Sequence, residues 1–579
     1  MLLIGYLLTA AVYISFILVI AFVLLDRKGI RKLLGESIDW RSVAALLLIL
    51  AFFIIFSVRF VSPTEQLYFD ENIYQGIALN ILNHGSSLWC QFGSGYVGNC
   101  YASQVYHDPV GWSAFIAMAF AVFGIGTSTA YNLELFAGAL SIILVFILAS
   151  VLTKRKAYGV VAAFAFAMMP QLFIWARTQA DADLPFMMFA TLAFLLFVIF
   201  TRRKSVNSFA AFAFSLDLVL YMRIEASLLV GVFAILMLTF GERGIRETFK
   251  ERVRIISKAL LDNTRALLVL LAFILLMLPQ FYYIAIEAQN PSYGQTGNQT
   301  VISLANLKYN MGINIPFIFG STNILSLYPA NFHYLITPLA ILGALVLIFD
   351  KRIKNRFGML LLLLLWFSAY FMFYGVFFAG YATYGVDVRF MLQLLPALCL
   401  LAAFAILGMG DAAGWVAAWF ASKKRDSSIV RLVFASVVVI ASAGLLFYPF
   451  FTLVPLVALS PSMMPQQSVI LPAINYFYAN YNDVPQNCFV FSFTPEIWWV
   501  VNRSASEIGY MGNTNQTLSA IVSQHSCLVF DYGYWCVVPP FHSTACAYTL
   551  KRYKLQNLTS NPPEPGGNNV TFYRILNYS

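Results

Sequence analysis

The chain has 579 residues, of which 60% are hydrophobic and only 11% charged, with a mean hydropathy of +0.75. Soluble domains run at roughly 45–50% apolar, so a water-soluble globular architecture is excluded and lipid is the main solvent. The net charge of +10 resides mostly in short Lys and Arg clusters between apolar runs, the pattern of cytoplasmic loops and not of a nucleic-acid face. No zinc-ligand spacing and no glycine-rich phosphate loop is present, which also disfavours a sugar nucleotide as direct donor.

The first apolar run has its basic cluster, DRKGIRK, after it and no positive residues before it. This polarity predicts a retained helix entering from outside and not a cleaved signal peptide. Runs long enough to cross the hydrocarbon follow near 2–25, 42–62, 130–152, 157–175, 184–201, 206–222, 224–240, 266–287, 333–349, 357–379, 389–408 and 432–456. With roughly 20 apolar residues needed per crossing, the reading is a bundle of about 12 transmembrane helices. Most of the 36 Lys and Arg fall in alternate connecting segments, which assigns those segments to the cytoplasm.

Residues 63–129 form a long first external loop. Within it, ENIYQGIALNIL reads as an amphipathic helix with Ile73, Ile77 and Leu79 to Leu82 facing the membrane, and Trp112 to Gly126 as a helix at the outer membrane face. All six N-x-S/T sequons (Asn298, Asn502, Asn515, Asn557, Asn569, Asn577) land on the outside. Six cysteines, Cys90, Cys100, Cys488, Cys527, Cys536 and Cys546, lie there too. The even number suits three disulfides of open connectivity in an oxidising compartment; Cys399 lies in a span. The composition turns polar near Gln466, and CFVFSF, CLVFDYGYWCVV and VTFYRIL read as strands. The expected organisation is a transmembrane domain over 1–465 and a small α/β or β extracytoplasmic domain over 466–579, in the plasma membrane.

Ionisable groups at membrane depth are functional candidates by default. Asp70 and Glu71 follow the second span, and Arg177, Asp181 and Asp183 stand between the fourth and fifth, on the same side. Asp70 also suits a helix N-cap, and the Asp181–Asp183 pair can either cap a helix or share a divalent metal; metal dependence stays open and no cofactor is required. Arg177, Arg223 and Arg389 sit on the outside against the positive-inside trend. Glu225 and Asp387 can answer two of them as structural ion pairs, while a guanidinium fork also suits a phosphate. His107 and Asp108, in VYHDPVGW, complete the external polar set, as a turn or as a substrate or metal contact.

The Asp-Glu pair after an early span, HDPVGWSAFIAMAFAVFGIG, the TKRK loop and FAFAMMPQLFIWARTQADADLPFMMF together resemble the C-type glycosyltransferases, in the protein O-mannosyltransferase and aminoarabinose-transferase group. The similarity covers residues 60–200 and extends to VDVRFMLQLLP. It implies a transmembrane bundle of that type and a donor sugar on polyprenyl or dolichyl phosphate. It also implies Asp70 at the reaction centre and a second acidic position at Asp183 or Asp181. The expected acceptor is extracytoplasmic, whether protein, lipid or glycan, membrane lipids surround the protein, and the sequons suit an archaeal source. The extra helix before the catalytic first span and the His107-Asp108-Pro109 element depart from the family pattern.

On this reading Asp70 is the base toward an acceptor hydroxyl, Glu71, Asp181 and Asp183 line the reaction centre, and Arg389, Arg223 and Arg177 bind the donor phosphate, with inversion at the sugar. Two alternatives stand beside it: an oligosaccharyltransferase-like enzyme and a transporter or flippase of polyprenyl-linked precursors. The first has DYGYW at Asp531 to Trp535 in its favour, although Val529 and Phe530 stand where that family's signature has tryptophans. The second has only Asp217 at mid-membrane depth.

Overall fold

A computed structural model describes residues 2–61, 70–88, 109–178, 180–240, 263–287, 302–320, 333–353, 355–377, 387–420, 427–463, 475–508, 521, 525, 527–533, 536, 544–559 and 570–576. The described residues of the N-terminal part form the helices α1 (Leu2–Leu25), α2 (Arg27–Gly35), α3 (Trp40–Phe60), α4 (Asp70–His84), α5 (Gly111–Phe123), α6 (Thr127–Thr153), α7 (Lys156–Ala167), α8 (Pro170–Thr178), α9 (Asp183–Arg203), α10 (Val206–Leu220) and α11 (Ser227–Thr239). Then come α12 (Thr264–Glu287), α13 (Leu304–Ile318), α14 (Ile336–Phe349), α15 (Arg356–Val376), α16 (Leu395–Phe420) and α17 (Ser427–Met463).

Each of the twelve apolar runs is helical. Among the described residues eight helices are long and apolar enough to cross a membrane, and α7 with α8 makes a ninth if the bent pair counts as one span. The remaining three runs form the shorter helices α10, α11 and α14. The fourth run is not a straight span: it breaks by 61° between α7 and α8. Pro170 opens α8, where its missing N–H costs nothing, whereas inside a continuous helix it would remove a hydrogen bond.

Local chemistry fixes the helix ends. Asp39 caps α3 through the Ser42 N–H at 2.9 Å and also pairs with Lys156 at the start of α7. Ser205 caps α10 reciprocally with Ser208. Lys154 and Lys204 close α6 and α9 in the left-handed conformation, placing positive charge at the negative helix ends. Gly343 of α14 faces the Leu401 carbonyl of α16 so closely that a Cβ has no room. The additional first helix is tied into the bundle by Ser15, whose hydroxyl donates to Asp217 of α10.

The first-loop helices are not surface helices. Every residue of α4 from Glu71 to Ile81 is buried, including Glu71, Asn72, Gln75 and Asn80, and α5 is buried from Gly111 to Ala117. Ile73, Ile77 and Leu79 to Ile81 therefore pack into protein. The reason lies at Gly76: its missing Cβ leaves room for the Trp499 ring, whose Cε3 a methyl there would meet at 2.5 Å. The C-terminal part covers the face that the sequence pattern assigned to the membrane.

That part is a small α/β sheet domain. Strands β1 (Cys488–Ser492), β2 (Ser504–Glu507), β3 (Cys527–Tyr532), β4 (Leu555–Asn557) and β5 (Thr571–Ile575) assemble in the order β2-β1-β3-β5-β4, parallel across β2, β1 and β3 and antiparallel beyond. Helices α18 (Pro495–Val500) and α19 (Thr544–Arg552) interrupt them. Alternation divides the sheet: Cys488, Val490, Ala505, Cys527, Val529 and Phe572 join the core of the transmembrane bundle. Phe489, Phe491, Leu528 and Phe530 build a second core on the other face.

Disulfides join Cys488 to Cys527 and Cys536 to Cys546; Cys399 is free and buried. Cys90, Cys100, four of the six sequon asparagines and the expected boundary at 465–466 lie outside the described residues, while Asn502 and Asn557 are exposed.

Candidate active site

Two helix N-termini meet where α4 and α9 begin. Asp70 and Glu71 open α4, and Asp183 occupies the first turn of α9, placements that helix dipoles favour for carboxylates. Glu71 joins three elements: its Oε2 accepts from the Tyr131 hydroxyl of α6 at 3.0 Å and from the Ala180 N–H of the α8–α9 loop at 3.5 Å. Glu134, three residues along α6 from Tyr131 and 1% exposed, lies in the fields of Asp181, Asp183 and Glu71. Asp181 and Asp183 are buried as well. Four carboxylates thus gather below one rim of the bundle. They do not converge on a point: among the described residues no group of three His, Cys, Asp or Glu is placed to hold a metal ion.

Arg223 answers one of them, Asp183, together with a fifth carboxylate, Glu225. The Arg223 Nη1 stands 3.0 Å from Asp183 Oδ1, and its Nε donates to Glu225 Oε1 at 2.5 Å. The Tyr374 hydroxyl donates to the same Glu225 oxygen at 2.8 Å. Phe390 lies under the Arg223 guanidinium at 5.4 Å and stacks on Tyr374 at 4.7 Å. Gln393 donates to the Asp183 carbonyl at 3.0 Å. Phe390 and Gln393 belong to the 3-10 turn Asp387–Leu394, so the segment that carries Arg389 abuts the start of α9.

The residues singled out from the sequence fare differently. Glu71, Asp181, Asp183 and Arg223 meet in this cluster. The backbone of Asp70 opens α4 and that of Arg389 lies in the 3-10 turn, but both side chains are outside the described residues, as are His107 and Asp108 entirely. Arg177 donates to Asn132 of α6 at 3.2 Å. The ion pair of Arg223 with Glu225, weighed from their spacing, is present, and Asp183 adds a second countercharge.

Glu134, Tyr131, Tyr374 and Gln393 were missed. For Glu134 a signal existed: it is a lone acid in an otherwise apolar span, the pattern that marked Asp217. Asp531 is turned inward, its Oδ2 accepting from Ser492 at 2.7 Å and from the Trp498 indole at 2.8 Å. Burial raises its pKa to about 6 against those two hydrogen bonds.

Comparison with known proteins adds a frame to this geometry. Residues 107–283 match the sequence profile of the family described as dolichyl-phosphate-mannose-protein mannosyltransferase. Among curated proteins none matches. ArnT of Cupriavidus metallidurans in its apo state superposes with a TM-score of 0.51 at 12% identity, over 92% of this chain and 97% of that one. The same protein bound to undecaprenyl phosphate gives 0.48 at 13% identity, with the same coverage. The Archaeoglobus fulgidus oligosaccharyltransferase, tethered with an acceptor peptide, gives 0.48 at 14% identity over 86% of this chain and 70% of that one. The chain has the C-type glycosyltransferase fold.

Proposed function

We propose that this integral membrane protein, built on the C-type glycosyltransferase fold, transfers a sugar from a polyprenyl or dolichyl phosphate to an acceptor outside the cytoplasm. The observation that carries the reading is the meeting of the α4 and α9 N-termini, where Glu71, Asp181 and Asp183 gather about Glu134 and Asp183 in turn pairs with Arg223. The family match over residues 107–283 supports a lipid-phosphate donor, since the family's description names one. Such a donor is anchored at the bilayer surface, so no nucleotide pocket is needed.

In the proposed reaction the Asp70 carboxylate takes the proton of an acceptor hydroxyl as its oxygen attacks the anomeric carbon. The bond from that carbon to the phosphate oxygen breaks, and the lipid phosphate leaves with the electron pair, its charge stabilised by Arg389. Attack opposite the leaving group inverts the anomeric centre. Arg223 is matched by two carboxylates, so its part is to hold Asp183 and Glu225 in place, and Arg389 and Arg177 are left to meet the phosphate. His107 and Asp108 would border the acceptor side.

The basic loops and the disulfides support an orientation in which the C-terminal domain, from about residue 466, stands outside the plasma membrane. Incubating the protein in proteoliposomes with a polyprenyl-phosphate sugar tests the reading. Enzyme-dependent release of polyprenyl phosphate with labelled acceptor supports it, whereas movement of intact donor across the bilayer without transfer supports a flippase instead.

A further inference from the structure

Some buried or half-buried arginines in the described structure are answered by carboxylates. Arg223 is matched by Asp183 and Glu225, and Arg203 by Asp26. Arg503 of the C-terminal domain is an exception. It is 5% exposed, its Nε and Nη1 have no hydrogen-bond partner, and no carboxylate among the described residues pairs with it. Burial lowers its pKa, opposed only by the phenol of Tyr481.

The backbone around it is nonetheless closely determined. The Arg503 N–H donates to the Trp498 carbonyl at 2.9 Å, and Asn502 before it takes a left-handed φ of 61°. Ser504 after it enters the sheet opposite Phe489. A rigid turn thus directs a guanidinium into the protein and leaves its Nε and Nη1 without a partner among the described residues, an arrangement that costs stability unless an anion completes it.

Position narrows the choice of anion. Arg503 precedes β2 at the strand end where the chain also enters β1, after the turn Tyr481–Asp483. Just upstream, the Tyr478 hydroxyl reaches Thr127 at the start of α6, at 3.4 Å. On the same side of the turn, Trp499 rests on Gly76 of α4. The unpaired cation therefore sits where the sheet domain meets the end of the transmembrane bundle, a level at which phosphate head groups are the abundant anions. A guanidinium matches phosphate oxygens in geometry and charge.

We infer that Arg503 forms an anion subsite between the sheet domain and the bundle that takes a phosphate group, borne either by a membrane lipid or by a free phosphate ion. The site uses none of the residues assigned to sugar transfer and goes beyond that reading. Its occupant would join the two parts of the molecule at their seam.

The test uses the full chain, first in detergent with inorganic phosphate and then in nanodiscs of phosphatidylcholine with or without phosphatidylglycerol. Binding is read by thermal unfolding and by equilibrium titration. Phosphate is expected to stabilise the unaltered protein saturably, and Arg503→Gln to weaken that binding at least about tenfold. Without any added anion, Arg503→Gln should melt no lower than the parent, because it removes an unanswered charge, and Arg503→Lys should keep part of the response.

Stabilisation by phosphatidylglycerol that excess inorganic phosphate does not displace assigns the site to a lipid head; saturation by phosphate alone assigns it to the free ion. Parent protein that responds to neither overturns the inference however the variants behave. So does Arg503→Gln that binds as the parent does, or that loses its fold in the absence of anions.

Discussion

Replacing Arg223 by Met strands two carboxylates inside the bundle. The side chains of Asp183, Glu225 and Arg223 are 3%, 9% and 13% exposed, and the arginine stands 3.0 Å from one acid and 2.5 Å from the other. Breaking a buried ion pair by removing one partner typically costs about 3–5 kcal/mol, because the survivor keeps its desolvation penalty and loses its attraction. Here two survivors remain, although the Tyr374 hydroxyl still serves Glu225 at 2.8 Å, so a loss of at least ~3 kcal/mol is expected.

The neutral triple variant Asp183→Asn, Arg223→Met, Glu225→Gln should recover most of it, since no charge is then left uncompensated. Equilibrium unfolding of the purified protein in mixed micelles would measure all the variants in one cycle. A single Arg223→Met variant within about 1 kcal/mol of the parent, or a triple variant no more stable than the single, would refute the account of this cluster.

The other expectations are more local. Gly76→Ala should loosen the sheet domain from α4, seen as faster proteolysis of the C-terminal part, because a methyl meets the Trp499 ring at 2.5 Å; Trp499→Ala in the same chain should restore protection in part. Gly343→Ala should cost more than about 2 kcal/mol by forcing α14 from the Leu401 carbonyl, whereas Gly231→Ala, with open space around it, should change stability little.

Asp531 predicts a pH effect of definite sign. Its folded pKa of about 6 lies above the usual carboxylate value near 4, so the folded state holds the proton more tightly. Its contribution is fully present below pH 4 and is lost as pH rises through 6, about 3 kcal/mol in all. Asp531→Asn should flatten that part of the stability profile; an unchanged slope between pH 4 and 6 would contradict the assignment.

Run length and charge alternation made the spans legible, because a bilayer demands both and little else. The bend at Pro170 was not legible, since hydropathy is blind to direction. Helix α13 was missed because Lys308, Asn310 and Asn314 dilute its apolar run; Asn310 uses those amide hydrogens on the carbonyls of Tyr374 and Gly375, near the end of α15. For α4 the helix was readable but its surroundings were not: Gly76 and Trp499 are more than 400 residues apart, and nothing near either one announces the other.

In the candidate site the pair Arg223 and Glu225 was visible from local spacing. The encounter of Glu71 with Tyr131 and Ala180 depended on the tertiary fold. Glu134 was readable in principle, as an acid that an apolar helix would not carry without use.

The most direct test is turnover by Asp70→Asn with donor binding measured in parallel. The account predicts that the variant binds the polyprenyl-phosphate sugar as the parent does and transfers none of it. Sugar transfer at the parent rate by a folded Asp70→Asn protein would contradict it.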